Sequence, residues 1–458
     1  LAGLDVRDRA YQKAGFLMKL FLRDLFVKLR KSIFFKNIVV VMAGTGVAQV
    51  IGVLLSPIIS RLFTPADFGV SSSFVVVSST IATLATMSYD SAIMLPKEKD
   101  HAFNIFSLSI LSTVTVSIFC LLFCLIAPAT VNGLMKTTGT WPLAVLVFAI
   151  MIAGINVSCQ AWSVRAKAFR QTSASQMIRS LTANGSRIGF GFLKAGAPGL
   201  IISGILGDLL ASVNLVRVLL PDLRALRGRV RWGLIKRLAR EYRDFPMYSA
   251  SQNFINSVSG SLPVLLLTRF FGISVTGAYA FGMTVLSLPM GLITGALRQV
   301  LFQKASESQH QGESLASLYV KITATLFAMA LVPSLIVIIW APQLFTWIFG
   351  SQWHLAGELA RSLMIWLAFV FCNVPAVLFA RIIRIQRFVF LYDLILLAAR
   401  SAALVIGGLY LSAQQTVLSY ALVGAAMNGF LIFWVGRAVM KKEGSLNLDT
   451  LRDLLIQD

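Results

Sequence analysis

The sequence predicts an all-α integral membrane protein with 12 transmembrane helices, arranged as two six-helix lobes related by a pseudo-twofold axis along the membrane normal. Three observations carry that expectation. Of 458 residues, 57% are hydrophobic and only 13% are charged, with a mean hydropathy of +0.78, whereas soluble domains carry about 25% charged residues. Lys and Arg fall almost wholly in one alternating set of loops. One stretch also recurs. Ser60-Arg61-Leu62-Phe63-Thr64-Pro65-Ala66-Asp67-Phe68-Gly69, shifted by 208 positions, places Arg61, Phe63 and Gly69 on Arg269, Phe271 and Gly277. The same shift carries Val77, Ser79 and Thr86 onto Val285, Ser287 and Thr294. Both copies join the first and second spans of a half, so the halves are inserted the same way round.

Residues 1–36 hold nine Lys/Arg, with Phe16, Leu17, Leu20, Phe21 and Leu25 at helical spacing between them. They read as a cytoplasmic basic amphipathic segment on anionic lipid. No short apolar core followed by a small-residue cleavage site is present, so a cleavable signal peptide is not expected. Six spans follow over 37–60, 70–96, 103–127, 141–163, 174–194 and 198–220, making an N-lobe of 37–220. A basic linker of 221–244 leads into a C-lobe of 245–440, with spans 245–268, 272–297, 316–340, 359–380, 389–411 and 416–436, and then a tail over 441–458. Each span has the length needed to cross about 30 Å of hydrocarbon. The 60–69 stretch reads as a tight surface turn, punctuated by Pro65 and Gly69 and capped by Asp67.

Orientation follows from the loops. The termini, the linker and the loops on their side hold 31 Lys/Arg, against four (Arg61, Lys136, Lys194 and Arg269) on the other side. That asymmetry places both termini in the cytoplasm. It also accounts for the net charge of +22 without nucleic acid. Cys120, Cys124, Cys159 and Cys372 lie in apolar runs and read as packing residues rather than disulfides or zinc ligands.

Six basic residues fall inside spans. Arg217, Lys321 and Arg361 stand near span ends and can snorkel. Arg187 and Arg400 sit near mid-depth of the fifth and eleventh spans, where a lipid-facing arginine costs about 3 kcal/mol. Arg179 precedes Arg187 by two helical turns, with Asn184 close to that face. Two readings stay open. Either these arginines line a cationic, substrate-binding cavity between the halves, or they pair with Asp90, Asp208 or Asp393 and fasten helices. Arg298, Arg61 and Arg269 are further cavity candidates. Asp90, Asp208 and Asp393 are candidates for ion coupling, with pairing to a basic loop residue the favoured reading for Asp90. His101, His310 and His354 are scattered, so no metal site is expected. Gly44-Thr45-Gly46 lacks the lysine of a phosphate-binding loop. No catalytic constellation and no cofactor are expected.

Beyond the 60–69 stretch, several segments carry a family resemblance: Tyr242-Arg243-Asp244-Phe245-Pro246-Met247-Tyr248-Ser249, Ser261-Leu262-Pro263-Val264-Leu265-Leu266-Leu267, Leu286-Ser287-Leu288-Pro289 and Gln303-Lys304-Ala305-Ser306-Glu307. Over residues 34 to about 440 the chain resembles the polysaccharide transporters of the multidrug/oligosaccharidyl-lipid/polysaccharide exporter superfamily, Wzx-type flippases above all. The resemblance implies a V-shaped pair of lobes around a cavity formed by the first, second, seventh and eighth spans. It implies a flippase that moves a polyprenyl-pyrophosphate-linked oligosaccharide (an O-antigen, capsule or exopolysaccharide unit of lipopolysaccharide-type biosynthesis) from the cytoplasmic to the periplasmic leaflet of a bacterial inner membrane by alternating access. A monomer is expected, among membrane lipids, with a polysaccharide polymerase and other export components as partners. Coupling to Na⁺ or H⁺ is left open. The alternatives are a cation-coupled multidrug exporter of the same superfamily and a polysaccharide polymerase or ligase. The first calls for acidic residues in the cavity, the second for a large outer loop with acid/base residues.

Overall fold

The computed structural model describes the backbone over residues 33–310, 314–383 and 385–456. Side chains are described over 46–217, 219–225, 228–291, 294, 314–383, 385 and 387–441. Residues 1–32 of the amphipathic segment expected over 1–36, and the side chains of 442–458, lie outside those residues, while the backbone of 33–36 belongs to the helix that starts at Ile33.

A first series of helices comprises α1 (Ile33–Leu62), α2 (Pro65–Ala85), a short α3 (Tyr89–Ala92), α4 (Lys99–Ile126), a short α5 (Pro128–Met135), α6 (Trp141–Arg165), α7 (Phe169–Phe192) and α8 (Gly196–Leu226). A connecting helix, α9 (Trp232–Glu241), and a π-helical turn over Phe245–Ala250 lead to the second series. This contains α10 (Ser251–Phe271), α11 (Ile273–His310), α12 (Leu315–Phe349), α13 (His354–Cys372), α14 (Val374–Ile382), α15 (Gln386–Tyr410) and α16 (Ala413–Ile456).

Ten of the described helical segments are long and apolar enough to cross a bilayer. The chain is a multi-pass, all-helical integral membrane protein. The two expected spans outside that set, 37–60 and 174–194, fall on α1 and α7. The apolar described part of α1 is short, Gly46–Leu62. α7 is polar because its polar residues are used in packing rather than facing lipid. Ser180 Oγ donates to the Ala48 carbonyl at 2.7 Å, Ser175 Oγ donates to the Ala211 carbonyl at 3.2 Å, and Gly191 lies against Leu62.

Each series has its own cores. In the first, Phe103, Phe106 and Trp162 pack ring on ring with centroids 5.7–6.0 Å apart, alongside Leu215 and Leu219. In the second, Phe281, Phe345, Phe349 and Trp353 form a connected aromatic group. All four cysteines are free and buried in such contacts.

Two spans are broken where one continuous helix was expected. The span predicted over 70–96 stops at Ala85, because Met87 (φ 49°) and Ser88 (φ 57°) are both left-handed. Such a conformation strains a non-glycine residue by about 1–2 kcal/mol. The span predicted over 359–380 is interrupted at Asn373, which joins α13 to α14 and hydrogen-bonds to Asn428 on α16.

Candidate functional site: a sealed end and an open seam

The 60–69 stretch closes one end of the molecule. Pro65 opens α2, and Thr64 caps it. The Thr64 hydroxyl accepts from the Asp67 amide at 3.2 Å, and Asp67 Oδ2 accepts from the Thr64 amide at 2.9 Å, a reciprocal capping box. The rigid turn then meets the second series. The Ser60 carbonyl accepts from Trp353 Nε1 at 2.8 Å and Gln352 Nε2 at 2.7 Å. Arg61 reaches the carbonyls of Trp347 and Ile348 at 3.5 Å. Phe68 sets its ring edge-on to Phe281 at 5.2 Å and Trp353 at 5.1 Å.

The glycines of the repeat sit at the centre of this closure. A β-carbon on Gly69 would collide with the Ile273 carbonyl, and one on Gly277 would collide with the Pro65 carbonyl. The 208-residue offset interchanges the two contacts, since it carries Gly69 to Gly277 and Pro65 to Ile273. Both repeated glycines are therefore required by backbone-to-backbone approach.

Below this end the two seams between the series differ. α2 and α10 are joined by side-chain hydroxyls. Ser73 meets Thr268 at 3.4 Å, Thr80 meets Ser261 at 2.9 Å and Ser257 at 3.3 Å, and at the break beyond α2 the Asn253 amide donates to Ser88 Oγ at 3.4 Å. Between α1 and α11 no side-chain hydrogen bond is made among the described residues. Instead an open-sided cavity of about 340 Å³ is lined by Gln49, Met283, Thr284, Ser287 and Leu288. The Gln49 carbonyl oxygen is buried there with no partner.

The arginines and aspartates singled out by sequence fall in several places. Arg179 pairs with Asp208 on α8. Arg187 is half-buried. It donates from Nη1 to Asn184 Oδ1 at 3.2 Å, and its Nε–H has no acceptor. Arg400 stacks between Trp366 and Tyr420, each ring centroid 3.8 Å from the guanidinium carbon, with Nε and Nη2 lacking acceptors. Such stacking contributes about 2 kcal/mol when desolvated. Arg61 belongs to the sealed end, and Arg269 is exposed. The Arg298 side chain lies outside the described residues. Asp90 accepts from Thr86 at 2.6 Å and Ser91 at 3.4 Å, and Asp393 is exposed. Neither joins an ion pair among the described residues. Sequence reasoning missed Gln49, the Gln352–Trp353 clamp and the hydroxyl seam. The seam's only signal was Ser and Thr recurring on apolar helices, which is common in membrane spans.

Residues 58–358 match the family model described as "Polysaccharide biosynthesis protein". The chain belongs to that family. Among curated proteins, none matches it in sequence. Among solved structures it is similar to the lipid II flippase MurJ in its inward closed conformation, with a TM-score of 0.69, 12% identity and coverage of 91% of this chain and 92% of that one. It is similar also to an inward-facing multidrug resistance MATE transporter of the MOP superfamily, with a TM-score of 0.64, 16% identity and coverage of 87% and 96%. For an outward-facing transporter of that kind the TM-score is 0.54 at 13% identity, with coverage of 92% and 98%. These likenesses show the fold alone, the one that MurJ and the multidrug resistance MATE transporters share.

Proposed function

We propose that this member of the polysaccharide biosynthesis protein family is a flippase for a polyprenyl-diphosphate-linked oligosaccharide. It moves the head group from the cytoplasmic to the periplasmic leaflet of a bacterial inner membrane by alternating access. The 12 spans form two six-helix lobes over 37–220 and 245–440, joined by the basic linker of 221–244, with both termini cytoplasmic. The observation that carries this reading is a partly polar cavity open to one side between α1 and α11, beneath an end closed by interlocking contacts. A sugar chain and a diphosphate cannot cross hydrocarbon unaided. A cavity open to the side admits the head group while the polyprenyl tail stays in lipid.

Arg187 and Arg400 are the residues proposed to meet the diphosphate as the lobes rock, because Arg187 keeps a buried Nε–H and Arg400 a buried Nε and Nη2 without acceptors and an anion satisfies them. Asp90, Asp208 and Asp393 are the coupling candidates should a Na⁺ or H⁺ gradient drive the cycle, Asp208 through release of Arg179.

The test is reconstitution into liposomes with a labelled polyprenyl-diphosphate oligosaccharide, scoring leaflet accessibility with and without Na⁺ and proton gradients. Translocation is expected, and Arg187→Gln and Arg400→Gln are expected to lower its rate at least about tenfold with the folded fraction unchanged. Normal rates in both variants would remove the arginine assignment. Export of small amphipathic cations without lipid-linked sugar movement would replace the flippase by a multidrug exporter, and chain growth or hydrolysis of the labelled lipid would replace it by an enzyme.

A further inference from the structure

The connecting helix α9 carries a site that does not depend on the transport reading. Its Ile235 and Leu238 are buried among Tyr89, Phe103, Trp162 and Leu219, at the ends of helices next to basic loops. Lys236, Arg237 and Arg240 stand on the opposite, exposed face. The entry to the helix is fixed from both sides. Asn104 Nδ2 donates to the Arg229 carbonyl at 3.2 Å, while its Oδ1 accepts from the Arg231 amide at 3.1 Å. Arg229 pairs with Asp100 at 3.0 Å. The three cations are therefore held on a rigid mount.

Together with Gly233 and Glu241 they border a pocket of about 410 Å³. None of the three joins an ion pair among the described residues, and Glu241 stands beside them in the pocket lining. Like charges three and four residues apart on a helix repel, so the arrangement gains from an anion bound among them. Gly233 leaves the pocket floor without a side chain. The surroundings say which anion. α9 joins the end of α8 to the start of the span at Phe245, so it lies at the membrane boundary. Trp232 is 58% exposed there, with the Lys236 ammonium 5.7 Å from its ring centroid. An exposed tryptophan beside a basic side chain is the usual furniture of the head-group layer.

We propose that α9 binds the phosphodiester head group of an anionic membrane phospholipid, with Lys236, Arg237 and Arg240 on the phosphate oxygens and Trp232 in the glycerol layer. Each basic side chain at such a surface contributes roughly a fivefold factor in affinity. The experiment is native mass spectrometry of the full chain in neutral detergent, titrated in turn with phosphatidylglycerol, phosphatidylethanolamine and inorganic pyrophosphate. Phosphatidylglycerol is expected to give a saturable adduct that K236Q/R237Q/R240Q weakens by about a hundredfold. The charge-conserving variant K236R/R237K/R240K is expected to stay within about threefold of the parent. A charge-matched control on the same face, K97Q/K167Q/R170Q, is expected to bind as the parent does. Equal binding by K236Q/R237Q/R240Q, or equal weakening in the control, would overturn the site. Displacement of the lipid by micromolar pyrophosphate through the same three residues would overturn the lipid assignment in favour of a free or substrate-borne diphosphate.

Discussion

The α2/α10 seam and the α1/α11 seam occupy equivalent positions under the 208-residue offset, yet they carry opposite chemistry. On the first, Thr80 bonds to Ser261 and Ser257. The offset carries Thr80 to Leu288, Ser261 to Val53 and Ser257 to Gln49. Where the first seam has three hydroxyls, the second has a leucine, a valine and an amide that Leu288 cannot satisfy. The outcome is visible in the cavity, which Gln49 and Leu288 both line. Between helices surrounded by lipid no hydrophobic force favours closure, so side-chain hydrogen bonds and close packing decide which seam holds. Two seams related by the offset thus differ in a few side chains, which join one and leave the other without a side-chain hydrogen bond among the described residues.

The most direct way to break this comparison is covalent. Cysteines at Thr80 and Ser261 replace oxygens 2.9 Å apart and fall within disulfide reach. The offset-equivalent pair is Val53 and Leu288. Mild oxidation is expected to cross-link T80C/S261C almost completely and V53C/L288C at least about tenfold more slowly, as read by the mobility of a chain cleaved in the linker. Equal rates for the two pairs would mean that the seams are alike.

Next in size is the sealed end above both seams. Gly277→Val drives a side chain into the Pro65 carbonyl. Overpacking of this kind costs about 3 kcal/mol, enough to shift the sealed population by about a hundredfold. A cysteine at Ser73, buried in the seam beneath, should then react rapidly with a membrane-impermeant maleimide. Unchanged protection would show that the glycine contact does not hold the seal. Trp353→Phe keeps the ring packing on Phe68 and Phe281 but removes the donor to the Ser60 carbonyl. Since Gln352 still serves that carbonyl, the loss is about 1 kcal/mol, roughly a fivefold gain in the same labelling rate.

Much of the helical frame was legible in the sequence, because long apolar runs and one-sided charge report directly on lipid and on insertion. The paired glycines at positions 69 and 277 were legible as a repeat, but Gly69 read as turn punctuation, whereas it lies inside α2 with its backbone against that of α11. The site was far less legible. Arg187 and Arg400 could be singled out for depth, but nothing along the chain says that Arg400 meets Trp366 and Tyr420 from two other helices. Met87 and Ser88 carry no glycine or proline to announce a left-handed break. Ser and Thr of the seam bond back to their own helices as readily as across it, as Ser261 does to the Ser257 carbonyl at 2.7 Å. Only the packing shows which of them bridge.

The smallest expected effect bears most closely on the comparison, because it sets one residue of each seam against the other. Thr80→Val keeps shape and removes both hydroxyl contacts. Interhelical hydrogen bonds in membranes average about 0.6 kcal/mol, so the α2/α10 seam should weaken by about threefold, measured as the rate of cross-linking between cysteines at Ser73 and Thr268. Gln49→Leu removes an amide whose carbonyl oxygen is buried and unpartnered. Such a group is a liability to the fold, so thermal stability should hold or rise while head-group translocation slows. The opposite pattern, a silent Thr80→Val and an unstable Gln49→Leu, would mean that the fastening lies on the α1/α11 side. The direction from which a substrate enters would then have to be reversed.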